Sequence, residues 1–404
     1  MAVGNVDFPE MYKVSGIKLG TSNAGIKQTE RDDILVVEMT ETATCAGVFT
    51  QNAFCAAPVH IAKDHLQHNP RWLLINSGNA NAGTGEQGMK DADACCLSLA
   101  SILNARNQQV LPFSTGVIGE KLPVEKIEIA LPEAISCLSD GHWNKAANAI
   151  MTTDTFAKGA STVIEIEGQT ITITGISKGA GMIQPNMATM LGFVATDAKI
   201  SQVLLQKCLS EAAEQSFNRI TVDGDTSTND SCILMASGCS SAPEITENSE
   251  NYKIFSKAVT SVCKRLAELI IRDGEGATKL IRICIEEAFS SDEALDVGKT
   301  IAHSPLVKTA FFASDPNWGR ILAAVGRSGI EQMDLDKIEI YLDKVCIVKN
   351  GSRSSSYTEE QGQQVMNQEE ILVRVILGRG DIREEVLTCD LSYDYVRINA
   401  EYRT

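Results

Sequence analysis

The chain has 404 residues, 44% of them hydrophobic, with a formal net charge of −16 and a pI near 4.9. That length can bury the cores of two or three domains, or of one large domain with a smaller one appended. So acidic a chain repels phosphate backbones and anionic lipid, which argues against nucleic acid and membrane surfaces as partners.

In chain order, residues 1–10 lack a basic region followed by an apolar stretch, and no segment reaches the ~18 apolar residues of a membrane span. Twelve cysteines are scattered without a Cys-x-x-Cys pair, the pattern of buried reduced thiols in a cytoplasmic chain. Ile34–Met39 and residues 72–75 are short apolar runs that predict strands. A small-residue loop rich in amides, 76–83, follows the second. Helices are predicted over 88–103 and 124–138, and 162–174 alternates around Glu167, Gly168 and Gln169 as a β-hairpin does.

Val203, Leu204, Cys208, Leu209, Ala212 and Ala213 recur at helical spacing, as do Phe255, Val259, Val262, Cys263, Leu266, Leu269 and Ile270. The second helix stops at Gly274. Strands are predicted over 278–285, 338–342 and 371–377, a helix near 319–326, and a loop over the Ser-, Gly- and Gln-rich stretch 350–363. Interleaved elements plus a hairpin predict mixed α/β layers.

Three familiar chemistries do not fit. Gly175-Ile-Ser177-Lys178-Gly179 matches the hydrolase nucleophile elbow, but Pro185 follows where a helix should start, and only His303 lies downstream. Val297-Gly298-Lys299-Thr300 resembles the end of a P-loop, but Glu293 stands where its first glycine belongs. His60, His65 and His68 have no carboxylate or cysteine at a familiar ligand spacing, so no metal is expected.

The most informative stretch is 178–193, Lys-Gly-Ala-Gly-Met-Ile-Gln-Pro-Asn-Met-Ala-Thr-Met-Leu-Gly-Phe. Its glycines and proline allow backbone conformations that other residues avoid. The Thr189 hydroxyl could attack the Ala188 carbonyl and shift the acyl group from nitrogen to oxygen; hydrolysis would then free Thr189 as a new N-terminus. A liberated α-amine, with a reference pKa of ~7.7–8.0, would supply the base that a threonine nucleophile lacks. On these residues alone, a turn threonine bonded to its own backbone is the commoner reading.

The segment resembles the signature of the ornithine acetyltransferase family, also called bifunctional glutamate N-acetyltransferase. The likeness runs through Asn-Ser-Gly-Asn-Ala-Asn-Ala at 76–82, Ser-Thr-Gly-Val-Ile-Gly at 114–119 and Met-Thr-Thr-Asp-Thr at 151–155. It continues through Arg219 to Asp230, Asp-Gly-Glu-Gly-Ala-Thr at 273–278, Asp-Pro-Asn-Trp-Gly-Arg at 315–320 and the last six residues, 399–404.

The resemblance implies cleavage of the Ala188–Thr189 bond into an α chain, 1–188, and a β chain, 189–404, associated as α2β2. Thr189 would accept acetyl from N2-acetylornithine and pass it to glutamate by a ping-pong route. No cofactor is implied; some members also take acetyl from acetyl-CoA, and this sequence leaves that donor open. Thr115 and Gly116 correspond to the oxyanion hole. Lys178 corresponds to a substrate-binding lysine and Thr152 to a substrate-contacting threonine, with Thr153 and Thr155 as alternative registers. Glu275 would complement the ornithine ammonium. Asn399 and Thr404 correspond to positions where the chain end reaches the site.

The implied fold is a layered α-β-β-α sandwich, with 189–284 completing the catalytic core and a smaller α/β domain over 285–404. Two rivals share these residues: a self-processing aminopeptidase or amidase, which would pass the acyl group to water, and a non-enzymatic amino-acid-binding protein.

Overall fold

The computed structural model of the chain describes residues 3–4, 6–27, 30–184 and 190–401. Two compact units form: one from Asp7–Asn218 and Asp225–Ile270, the other from Met1–Val6, Arg219–Gly224 and Ile271–Thr404.

The larger unit begins with strands β1 (Ile17–Ser22), β2 (Ile34–Met39), β3 (Thr44–Phe49), β4 (Trp72–Asn79) and β5 (Val110–Val117). It continues with β6 (Lys158–Ile166), β7 (Gln169–Lys178) and β8 (Leu191–Thr196). β9 (Ile220–Thr221) belongs to the other unit, and β10 (Ser231–Ala236) returns to this one. One sheet has the order β1-β2-β4-β5, the other β3-β10-β8-β7-β6. Only β4 with β5 and β8 with β10 run parallel in these two sheets.

The apolar run of β2 shows why the layers stack. Leu35, Val37 and Met39 point into a core shared with Phe193, Ile233 and Met235 of the second sheet, while Ile34 and Val36 point the other way, onto helices. A strand buried on both faces is apolar throughout instead of alternating. Phe113 of β5 and Phe193 of β8 meet edge to face between the sheets, their centroids 5.2 Å apart. Helices Gly85–Leu103 and Val124–Ser136 cover the first sheet; Gln202–Glu214 packs on β3 and β10, and Leu266 of the helix Glu250–Arg272 lies over Gly175 of β7. This is the α-β-β-α sandwich.

The other unit adds β11 (Leu280–Ala288), β12 (Glu339–Leu342), β13 (Val345–Lys349), β14 (Ser352–Arg353), β15 (Glu370–Ile376) and β16 (Ile382–Cys389). Its sheet has the order β14-β13-β12-β15-β11-β16-β9. Ile281, Ile283, Ile285, Val373 and Val375 share a core with residues of helices Ser291–Ala302 and Trp318–Gly326. The alternate positions carry ion pairs, Arg282 with Glu385 and Arg374 with Glu286. The long segment of this unit starts at Ile271, and the turn after it is tied down: Asp390 accepts the Thr278 and Lys279 N–H groups, each at 2.8 Å.

Two local expectations fail. Residues 76–79 are the end of β4, held in strand by pairing with β5, so the amide-rich loop is shorter than its composition suggests. The stretch 350–363 contains β14 and the start of helix Glu359–Met366, whose capping box joins Thr358 and Gln361. Among the described residues no helix is long and apolar enough to cross a membrane.

Candidate active site

Thr115 and Gly116 close β5, opposite Ser77 and Gly78 of β4. Gly116 has φ +134°, and a Cβ there would lie 2.2 Å from the Gly78 carbonyl carbon and 2.5 Å from the Asn79 nitrogen. Only glycine fits so close to another backbone. The Thr115 hydroxyl accepts a hydrogen bond from Lys178 Nζ at 3.0 Å. Thr115 and Lys178 come from different sheets, so this bond links the two layers.

Lys178 ends β7 and pairs with Leu191, which starts β8. The connector that carries Ala188 and Thr189 therefore leaves and re-enters the sheet at neighbouring positions. Ala188 and Thr189 themselves lie outside the described residues, as does Thr404. Gly179, the first residue of the connector, has φ +147°.

Asp154, inside the Met-Thr-Thr-Asp-Thr motif, was given no role from sequence, yet it ties the proposed residues together. Its fully buried carboxylate accepts Lys158 Nζ at 2.6 Å and the Gly179 N–H at 2.7 Å on Oδ1, and the Thr152 N–H at 2.9 Å on Oδ2. Burial alone would raise its pKa. The ammonium groups of Lys158 and Lys178 and the Gly179 N–H outweigh burial and hold the carboxyl well below the usual carboxylate range. Lys27 lies close enough to interact with both Asp154 and Lys178; burial pushes its pKa down to about 8, against the pull of Asp33 and Asp154. Its ammonium donates to the carbonyls of Ala149 at 3.0 Å and Asp32 at 3.2 Å.

Asn229 was also missed. Its Nδ2 donates to Ala80 O at 2.6 Å and Ser114 O at 3.0 Å, and its Oδ1 accepts the Thr228 hydroxyl at 2.6 Å. With Asn76 Oδ1 accepting the Ser114 hydroxyl at 2.6 Å, it fixes the strand end that presents Thr115 and Gly116. The dense polar composition of 223–230 was visible in the sequence; which backbone it would hold was not.

In the other unit, Glu275 and Asn399 come together: Asn399 Nδ2 donates to Glu275 Oε2 at 2.8 Å. Asn399 sits on the helix Tyr393–Glu401. Gly276, at φ +69°, admits that helix, since a Cβ there would lie 2.5 Å from the Tyr395 nitrogen. Glu275 is buried.

The set-aside motifs occupy other structures. Ser177 is inside β7, paired with Gly192 and buried, so no elbow forms around it. Val297–Thr300 is helical. His65 contacts Val110 O through Nδ1 at 2.7 Å, a structural role. Among the described residues no group of three or more His, Cys, Asp or Glu could hold a metal.

The ArgJ family model matches residues 18–404. The chain is 61% identical over 400 residues to the arginine biosynthesis bifunctional protein ArgJ of Methylococcus capsulatus, covering 99% of this chain and 98% of that one. It is 56% identical to the protein of the same name from Pseudomonas fluorescens, over the full length of both. The crystal structure of the arginine biosynthesis bifunctional protein ArgJ from Bacillus halodurans aligns with a TM-score of 0.50 at 42% identity, over 52% of this chain and 97% of that chain.

Proposed function

The chain belongs to the ArgJ family, acyltransferases of arginine biosynthesis, and from that premise we propose that it moves acetyl from N2-acetylornithine to glutamate through the Thr189 hydroxyl. The observation that carries the reading is the Lys178–Thr115 bond beside Gly116, at the sheet end where the Thr189 connector starts and stops.

The chemistry needs two uses of one hydroxyl. First, Thr189 Oγ attacks the Ala188 carbonyl; the peptide nitrogen leaves as a free α-amine, and water cleaves the resulting ester to the Ala188 carboxylate and a regenerated Thr189 hydroxyl. That amine then takes the hydroxyl proton as Oγ attacks the acetyl carbonyl of N2-acetylornithine. Ornithine leaves with its nitrogen reprotonated, and the α-amine of glutamate attacks the acetyl-threonine in turn. At each tetrahedral stage the negative oxygen needs donors. The Gly116 N–H can approach closely, and Thr115, whose oxygen already accepts from Lys178, has its own proton to give.

Cleaved fragments would stay together. β3, β6 and β7 precede Thr189, β8 and β10 follow it, and all five share one sheet with β10 and β8 inserted between β3 and β7. Separation would break two full strand ladders. The match of a whole Bacillus halodurans chain to about half of this one also fits a product of cleavage. We place the enzyme in the cytoplasm, where its twelve free cysteines stay reduced, as an α2β2 assembly without a cofactor. Acetyl-CoA is a second donor to test.

The deciding experiment incubates the purified chain with labelled N2-acetylornithine, with and without glutamate. Label in N-acetylglutamate supports the reading; label released as acetate, with none in N-acetylglutamate, replaces it with an amidase.

A further inference from the structure

We infer that Asp154 is a positioning residue for the carboxylate-binding end of the site, setting Lys178 and the backbone of Gly179 and Thr152 where an amino-acid substrate meets them. This rests on the proposed binding role of Lys178. A buried ion pair four residues apart, Asp154 with Lys158, would ordinarily be read as a structural device. Such a pair seldom adds stability over an apolar one, because desolvation offsets the attraction.

The remaining bonds of Asp154 point to more. Neither of the other two hydrogen bonds goes to Lys158: one fixes Gly179, directly after Lys178, and one fixes Thr152. The charge of Lys178 also acts on Asp154, and the attraction is mutual. One carboxylate thus restrains three neighbouring positions that the family resemblance names or borders. Through Lys178 it reaches Thr115 as well.

The charge balance supports the same role. Lys27, Lys158 and Lys178 converge on Asp154, with Asp33 the other carboxylate in the group. Asp33 is occupied by the N–H groups of Ala24, Ile26 and Lys27. Arg31 adds a further positive charge beside Lys27, so cations outnumber carboxylates in the cluster, which suits it to an α-carboxylate. Both N2-acetylornithine and glutamate carry that group, so Asp154 serves both half-reactions.

The test compares the wild-type chain with Asp154→Asn, Lys158→Met and the double variant, which removes the buried pair together and so leaves no unpaired buried charge. The expected result is a KM at least tenfold higher for both amino acids in Asp154→Asn and in the double variant, with kcat within about threefold. Lys158→Met, which keeps Asp154 on Gly179 and Thr152, should stay within about twofold of wild-type KM. A second arm reads no turnover: amine-directed labelling of Lys178, followed by mass spectrometry, with and without ornithine. Ornithine should protect Lys178 in the wild type and fail to do so in the double variant. Wild-type KM values in the double variant, a loss confined to kcat, or a wild-type Lys178 that ornithine does not protect each overturns the inference. A wild-type chain that moves no acetyl would sink the acetyltransfer reading, while the labelling arm still decides the role of Asp154.

Discussion

Asn399 and Glu275 are 124 residues apart in sequence, and the amide of one donates to the carboxylate of the other at 2.8 Å. The bond orients a buried acid whose proposed partner is the side-chain ammonium of ornithine. Glu275→Gln should therefore raise KM for N2-acetylornithine about tenfold, equivalent to ~1.4 kcal/mol. KM for glutamate, which has no side-chain ammonium, should not rise. Steady-state kinetics with each substrate varied checks this; equal changes for both would remove the charge-pairing role.

Thr189→Ala should leave one intact band on a denaturing gel, where the wild type is expected to give fragments 1–188 and 189–404. It should also transfer no acetyl. A variant that remains whole yet turns over at the wild-type rate would exclude the liberated amine as base.

Gly116 and Gly119 separate crowding from backbone strain. Both have positive φ, +134° and +85°, but a Cβ at 119 meets nothing within 4 Å, whereas at 116 it meets backbone at 2.2 Å. Gly119→Ala should cost about 1 kcal/mol of stability from strain, and Gly116→Ala several times more. Urea unfolding of the two variants measures the difference.

Thr115→Val removes one proposed oxyanion donor and the acceptor of Lys178. A loss of about 10²–10³ in kcat is expected, ~2.7–4 kcal/mol, with the melting temperature little changed. A fall of less than tenfold would take Thr115 out of the oxyanion hole.

His303 lies at the end of helix Ser291–Ala302, its Nε2 buried without a hydrogen-bond partner among the described residues. Burial first, then Lys308, Lys299 and Arg327, push its pKa down to about 4. The unfolded chain, near 6.5, binds the proton more readily, so this contribution is complete above pH ~6.5 and is lost as pH falls toward 4, by about 2–3 kcal/mol at most and less for a partly exposed ring. His303→Gln should flatten the pH dependence of the urea midpoint over that interval. A variant as pH-sensitive as the wild type would assign the effect elsewhere.

An unbroken apolar run made β2 legible, and periodicity did so for the β6–β7 hairpin and the long helix ending at Arg272, because each pattern lies along one local segment. Motif order made Thr115, Gly116, Lys178 and Glu275 legible as candidate site residues. Asp154 and Asn229 lie inside those same motifs, yet the sequence predicts no role for either. Their importance lies in backbone groups 25 and 149 positions away, Gly179 N and Ala80 O, which no local pattern names.

The sequence by itself determined the layers and the family, and singled out one threonine as the candidate nucleophile, since apolar spacing and ordered motifs are properties of the chain as written. Only the tertiary structure decided that Lys178 bonds Thr115 across two sheets, that Asp154 holds both Thr152 and Gly179, and that β8 and β10 are locked between strands from before the proposed cut. Hydrogen bonds act over about 3 Å and are indifferent to how far apart in the chain their partners lie, so they come into being only when the sheets close.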